Sequence, residues 1–436
     1  QVNFMRTPPM EWIEKVIGIN SVTHQSNAEI VQFLIPLLKE TGLKVETQKV
    51  MEQGKEFYNL IAYSHSLSAP NLLVLNTHLD TVSGGDFSSW TKTQGNPFRL
   101  TKVKNRLYGL GTADVKIDFL CKIWAARVAK PWNRPFALVG TYGEERGLVG
   151  IQQLFKLKSF KPRFALVGEP SNLELIYAHK GHLIFTLEAS LSEVENKSGT
   201  LSKKWKGKSA HSSTPHLGEN AIQKALNDIF KRGLGIVSIS GGTDSNRIPE
   251  QCEAKLIKAK TPLTHNLFKL ITEVESLSKE LKKLKDNRFS PSSSQISLNM
   301  ARTANNKLYL TFDCRLLPSM NPTKLQQKLE TLSQKFGFRM ESFSIDCPMK
   351  GSRNSALIKQ ATQSLKRCGV KAVTKTKASS TEAAIYSQHG AEAIVFGPGI
   401  SIGNVHRPNE YNSLDQIAKA TDFYVQMLRM PSRGHA

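Results

Sequence analysis

The run Asn71-Leu72-Leu73-Val74-Leu75-Asn76, followed directly by Thr77-His78-Leu79-Asp80-Thr81, decides the architecture. A short, nearly unbroken apolar block reads as a strand buried on both faces, as in a parallel sheet covered by helices. Working outward, Ala28–Glu40 carries apolar residues at helical spacing and is closed by Gly42, and Asn59–Tyr63 is another apolar run. Downstream come a helical segment at Ile117–Ala129 and apolar runs at Phe136–Gly140 and Phe164–Gly168. Strands alternating with helices predict an α/β domain.

After Lys180 the texture changes. His182–Ala189, Leu234–Ser240, Lys307–Arg315 and Met340–Asp346 read as strands, with helices at Glu219–Lys231 and Thr323–Phe336. This β-α-β order with one-sided alternation predicts a small two-layer domain inserted in the first. Between its halves, the Lys/Glu/Leu-rich stretch His265–Lys285 is helical, and Asp286-Asn287-Arg288 with Ser290–Ser294 is a loop or linker. From about Ser352 the βα texture resumes, with a strand at Ala393–Phe396 and a last helix from Leu414 to about Leu428. The expected domains are 1–180 and 349–436 as two parts of one catalytic domain, with 181–348 inserted.

Composition narrows the function classes. The 436 residues are 39% hydrophobic and 22% charged, enough for two or three globular domains. No stretch approaches the roughly eighteen apolar residues of a membrane span, which excludes helical membrane and disordered classes. The opening residues Gln1–Trp12 lack a charged start followed by an apolar block, so the cytoplasm is the expected compartment. Cys121, Cys252, Cys314, Cys347 and Cys368 are odd in number and far apart, and read as buried free thiols. The net charge of +23 would attract polyanions or acidic metabolites. The lysine clusters at 203–208 and 279–285 lack interleaved aromatics, so they read as solvated surface and nucleic acid is not the expected partner.

The chemistry-bearing residues follow the apolar strands. His78 and Asp80 are two apart and face the same way, where an α/β sheet presents its ligand crevice. Gly109-Leu110-Gly111-Thr112-Ala113-Asp114 precedes a helix, so Asp114 is either a site carboxylate or a helix cap. Gly143-Glu144-Glu145-Arg146-Gly147 follows another strand; its paired carboxylates repel unless a cation or proton separates them, or they simply begin an acidic helix. Glu169 stands in Gly168-Glu169-Pro170, and His406 follows Gly397-Pro398-Gly399 in a loop. Together these form a mixed His/Asp/Glu set, the ligand chemistry of zinc, cobalt or manganese. Two ions need a shared carboxylate, for which Asp114 is the natural bridge. His78 and Glu169 would complete one site, Glu145 and His406 the other, leaving Glu144 as the base that a hydrolase needs.

The elements H-L-D-T-V, G-T-A-D-V-K, G-E-E-R-G, G-E-P-S and G-P-G with H-R-P-N-E-Y resemble, in order and spacing, the dinuclear-zinc amidohydrolase and peptidase family. That family includes acetylornithine deacetylase, succinyl-diaminopimelate desuccinylase, aminoacylase and carboxypeptidase G. The resemblance runs from about Glu11 to Leu428, with the Lys-rich helix as an apparent insertion. His179-Lys180-Gly181-His182, Lys208-Ser209-Ala210-His211-Ser212-Ser213 and Ser245-Asn246-Arg247-Ile248 are most similar to the acetylornithine deacetylase branch.

The resemblance implies a zinc-peptidase-like domain with a mixed sheet and an inserted ferredoxin-like lid that dimerises. It implies two zinc ions on His78, Asp114, Glu145, Glu169 and His406, Asp80 orienting His78, and Glu144 as general base and acid. It also implies that His211 reaches the active site of the other subunit, and that Asn246 and Arg315 hold a substrate carboxylate. The implied reaction is hydrolysis of an N-acyl amino acid, N-acetylornithine to ornithine and acetate first, a step of arginine biosynthesis. Desuccinylase, carboxypeptidase and dipeptidase chemistry on the same centre are alternatives, and a non-catalytic polyanion-binding relic is a minor one. Three departures stand out: Ile117 replaces a family glycine, Ser171 a threonine, and Arg407 adds a cation beside His406.

Overall fold

A computed structural model describes residues 6–191, 201–212 and 215–431. By its internal contacts the chain divides into one unit of residues 1–178, 349–376 and 381–436, and a second of 179–348 and 377–380.

The larger unit is built on an eight-stranded mixed sheet. Its strands run, in spatial order, Lys44–Glu52, Lys55–Tyr63, Phe136–Thr141, Leu73–His78, Phe164–Val167, Glu392–Val395, Leu175–His179 and Thr374–Lys377. The four central strands, Phe136–Thr141 through Glu392–Val395, are mutually parallel. Every residue of Leu73–His78 and Phe136–Thr141 is buried. The expected reading of these runs as strands covered on both faces holds. Register pairs His78 with Thr141 and Asn76 with Val167, so all four central strands end at one edge. That edge is where a parallel sheet binds ligands.

Helices lie on both faces. On Leu73–His78, Thr77 reaches Asp118 in the helix Lys116–Val128, while Asn76 reaches Tyr386 in the helix Ala383–Gln388. Neighbouring residues of a strand point oppositely, so the two helices cover opposite faces. The sequence periodicity had no hold on the outer strand Lys44–Glu52, whose side chains are all exposed or half-buried.

The second unit is a seven-stranded sheet ordered Leu201–Lys206, Gln251–Ile257, Gly235–Gly241, Ile296–Ala304, Lys307–Leu316, Gly181–Ser190 and Arg339–Asp346. Its pairings are antiparallel. Exposed and buried residues alternate along Gln251–Ile257, so one face packs and the other is open. The sheet has three strands more than the β-α-β reading supplied: Leu201–Lys206, Gln251–Ile257 and Ile296–Ala304. The Lys-rich stretch is the helix Pro262–Lys283, which turns Leu267, Leu270, Ile271, Val274 and Leu277 inward at helical spacing. It is part of this unit's core rather than an appendage. The lysines at 203–206 lie on an edge strand, where Lys204 and Lys206 face solvent and Lys203 pairs with Asp228 at 2.8 Å. Lysine on an edge strand also discourages pairing with another sheet.

Among the described residues no helix is long and apolar enough to cross a membrane. All five cysteines are free thiols, three of them buried.

Candidate metal centre

The site grows from the ends of the parallel strands. His78 is the last residue of its strand and is 1% exposed. Its Nδ1 lies 3.0 Å from the carbonyl oxygen of Asp80, which fixes the ring and leaves Nε2 directed at Asp114 Oδ1, 3.2 Å away. A histidine whose Nδ1 proton is held by a carbonyl presents Nε2 as its ligand atom. Asp80 orients the ring mainly through its backbone. Its carboxylate, 3.6 Å from Nδ1, accepts the N–H groups of Glu144 and Glu145 at 3.1 and 3.2 Å. One aspartate thus joins the histidine strand to the glutamate turn.

That turn follows Phe136–Thr141 and is bent by Gly143, whose φ of +67° is costly for a side-chain-bearing residue. A Cβ there would meet Val149 Cγ2 at 2.3 Å. The result is a single tight turn, Glu144–Arg146, in place of an acidic helix start. Glu169 is buried at its own strand end. The Ser171 hydroxyl accepts the N–H of Gly397 at 3.0 Å, joining this strand end to the loop that leads to His406.

Asp114 does not cap the following helix. Val115 holds the cap position and no side chain bonds there. The Asp114 carboxylate instead spans two imidazoles, with Oδ1 3.2 Å from His78 Nε2 and Oδ2 3.2 Å from His406 Nε2. His406 Nε2 is also 3.1 Å from Glu145 Oε1. Ligand atoms of His78, Asp114 and Glu145 lie within 4.8 Å of one another. His406 is half exposed, so the cluster is open on that side. Arg407 bonds its own loop at Gly403 O, 3.3 Å away, and is exposed, so it leans into solvent.

The electrostatics show what is needed to balance the site. Burial disfavours the His78 imidazolium, but hydrogen bonds to Asp114 and Asp80 overcome this and raise its pKa well above the usual value. His406 is raised to about 11 by Asp114 and Glu145. Asp114, though buried, is driven far below the carboxylate range by the two histidines. Glu144 is pushed well up by burial and by the charges of Glu169, Glu145 and Glu382. Glu145 is also raised, chiefly by burial. The protein supplies too few positive charges for its carboxylates, and divalent cations would remedy that. Two histidines and several carboxylates form an N/O donor set that fits zinc or its neighbours.

Two participants escaped the sequence reading. Glu410, 1% exposed, accepts the N–H groups of Ala113 and Asp114 at 2.8 and 3.1 Å, fixing the backbone from which the bridging carboxylate projects. Burial raises its pKa to about 8. It stood in the quoted N-E-Y, but nothing local told of a contact 296 residues away. Glu382, wholly buried, accepts from Asn76 and Thr141 and carries no sequence signal of its own.

Three of the sequence-derived residues belong to the second unit. Arg315 is 7% exposed; its Nη2 lies 3.2 Å from Ser212 Oγ and 3.5 Å from Asp313, while its Nε has no partner. Asn246 is exposed, and its carbonyl accepts the Ser212 N–H at 2.8 Å. His211 belongs to the two-residue strand Ala210–His211, which pairs with Arg247–Ile248; its side chain is outside the described part.

A purely structural metal site has no use for an extra glutamate beyond its ligands, whereas a hydrolase needs one to move a proton. A parallel α/β sheet with this cluster at its carboxyl edge defines a metal-dependent amidohydrolase. Residues 74–430 match the model of peptidase family M20/M25/M40, and the chain belongs to that family. It is 35% identical over 272 residues to an acetylornithine deacetylase of Photorhabdus laumondii, covering 58% of this chain and 67% of that one. To the acetylornithine deacetylase of Buchnera aphidicola from Acyrthosiphon pisum it is 27% identical over 412 residues, covering 92% and 90%. The fold is similar to that of the aminoacylhistidine dipeptidase of Vibrio alginolyticus, with a TM-score of 0.68 at 16% identity over 99% of both chains.

Proposed function

We propose that this protein hydrolyses the amide bond of an N-acyl amino acid, with N-acetylornithine the leading substrate, giving ornithine and acetate in arginine biosynthesis. The observation that carries this reading is Asp114 shared between His78 and His406, with Glu144 left over. The deacetylase relatives favour a small acylated amino acid over a peptide.

His78, Asp114 and Glu169 would hold one metal ion, and Asp114, Glu145 and His406 a second. Zinc fits best, and cobalt or manganese would substitute. When bound, such ions polarise an amide carbonyl and lower the pKa of water to near 7. Glu144 takes the proton of the attacking water at its carboxylate. Its elevated proton affinity suits that task, because it can retain the proton until the leaving nitrogen accepts it. Asp80 holds Glu144 by its backbone N–H and so keeps the base aligned with the histidine strand. By family resemblance, Asn246 and Arg315 would hold the substrate's carboxylate, and Arg315 has an unpartnered Nε for it. By family resemblance, His211 of a second copy would stabilise the oxyanion, which makes a homodimer through the inserted unit part of the machinery. The expected setting is the cytoplasm.

The test is metal content per chain combined with one assay of N-acetylornithine, succinyl-diaminopimelate, acyl-glutamate and dipeptides under zinc or cobalt. Two metal equivalents and preferential turnover of N-acetylornithine are expected. Preferential turnover of another member reassigns the substrate, and no bound metal ends the proposal.

A further inference from the structure

We propose that Glu382 is a positioning residue for the centre: its carboxylate sets the tips of the two strands that deliver His78 and Glu144, and its charge is kept there for that purpose. The inference rests on the amide-hydrolysis reading for its kinetic consequence but not for its geometric one.

Glu382 immediately precedes the helix Ala383–Gln388 and is in its cap position, yet its side chain does not cap that helix. It turns into the sheet. One oxygen, Oε2, accepts both the Asn76 amide and the Thr141 hydroxyl, the latter at 2.8 Å. Asn76 precedes His78 by two residues and shares its face of the strand. Thr141 is the register partner of His78 and stands three residues before Glu144. A single acceptor atom therefore ties together the ends of both strands. Tyr386, one turn further along the helix, donates its hydroxyl to Asn76 Oδ1 at 2.9 Å, so the Asn76 amide is held at both ends.

The other face of the same strand shows what a purely stabilising arrangement looks like. There Thr77 donates to Asp118 at 2.7 Å, and Lys122 neutralises that aspartate at 2.6 Å while also donating to Asn76 O and Thr77 Oγ1. That network is closed and charge-balanced. Glu382 has no cation among its hydrogen-bond partners, and its second oxygen, Oε1, is buried without a partner. A neutral glutamine could accept the same two hydrogen bonds, so those bonds alone do not call for a buried charge. What the carboxylate adds over a glutamine is negative charge, which acts on His78 and on Lys122 of the opposite face.

The experiment compares wild type, Glu382→Gln, Thr141→Val, Thr141→Ser and the Glu382→Gln/Thr141→Val double variant as cobalt-loaded full-length protein. It records metal per chain, the cobalt visible absorption, melting temperature, kcat and KM. In Glu382→Gln the cobalt band should change shape and kcat should fall roughly tenfold to hundredfold, with KM within about threefold. Thr141→Val should show the same effects more weakly, Thr141→Ser should restore them, and the double variant should be no worse than Glu382→Gln alone. An unchanged band with wild-type kcat overturns the proposal, even if melting shifts. If Glu382→Gln does not fold, the Thr141 pair decides: wild-type band and kcat in Thr141→Val overturn it. If wild type turns over no member of the substrate panel, the functional reading fails separately and the cobalt band alone decides positioning.

Discussion

At the strand ends of the larger unit, Asp80, Asp114, Glu144, Glu145, Glu169, Glu382 and Glu410 crowd together; His78 and His406 bond among them, and the buried Lys116 and Lys122 act on Glu410 and Glu382. In the second unit, His182, Ser212 and Arg315, all named from sequence, find protein partners: His182 bonds Asp313, Asp313 pairs with Arg315, and Arg315 bonds Ser212. The first arrangement is electrostatically incomplete as protein alone, and the second is nearly complete. An incomplete cluster points to something bound, and a complete one to a scaffold that presents a few remaining donors. The two regions should therefore answer perturbation differently.

The largest effect belongs to the residue that the larger unit holds in surplus. Glu144→Gln keeps the shape of the turn and every proposed ligand, so metal content and folding should match wild type. Turnover should fall by about 10²–10⁴, the usual contribution of a general base. Retained activity in steady-state assays would remove Glu144 from its role and with it the contrast between a catalytic and a structural metal site.

The incompleteness itself can be titrated. Burial raises Glu382 to about 7 and Glu410 to about 8, from ordinary values near 4.5. Raised carboxylates favour the fold most below their unfolded pKa, and that advantage is lost as pH climbs through the folded one. His406, raised to about 11, also loses stabilising influence as pH rises above its ordinary range. The metal-free protein should thus become less stable between pH 5 and 8, by on the order of 3 kcal/mol for a group such as Glu382. Added zinc should raise the melting temperature more at pH 8 than at pH 5, because the ligands need not then surrender protons. Melting curves with and without chelator test this. A metal-free stability that rises over the same interval contradicts the charge imbalance.

A smaller effect is expected one layer out. Glu410→Ala removes Oε1, the single oxygen that accepts the backbone N–H groups of both Ala113 and Asp114. Metal affinity should fall by about 10–100-fold, the usual loss for a residue that orients a ligand. Competition with a chromogenic chelator measures it, and unchanged affinity would make Glu410 a simple loop support.

What the sequence revealed of this contrast follows from how local each signal is. The four central strands announced themselves because a buried parallel strand is an apolar run with chemistry attached at its end, all within a dozen residues. His78, Glu145 and Asp114 could be proposed from such runs. The choice between ligand and cap for Asp114 needed coordinates, since both roles put a carboxylate before a helix. Glu382 and Asn76 are 306 residues apart, and no periodicity encodes that meeting. In the second unit the strand Leu201–Lys206 stayed hidden because its inward residues, Leu201, Lys203 and Trp205, are only half-buried and three of its six residues are lysines. An edge strand presents too little apolar contrast to be distinguished from a solvated loop.

The smallest effect tests whether the second unit is a scaffold with a donor to spare. Arg315 has its Nη2 engaged by Ser212 and Asp313, which fixes the plane of the guanidinium and leaves Nε as its buried, unpartnered donor. Arg315→Lys keeps the positive charge beside Asp313 but has no second, rigidly placed donor, because an ammonium cannot reproduce the planar fork. If Nε binds the substrate's carboxylate in ground and transition state alike, the loss is of uniform binding: KM rises while kcat holds. One hydrogen bond to a charged group is worth about 1.5–3 kcal/mol, so KM should rise roughly tenfold or somewhat more. The amide of the same substrate should be insensitive to the substitution, since it has no carboxylate to lose. A fall in kcat with unchanged KM would instead mean that Arg315 acts through Ser212 on the segment carrying His211, and the second unit would then contribute to the chemical step rather than to holding the substrate.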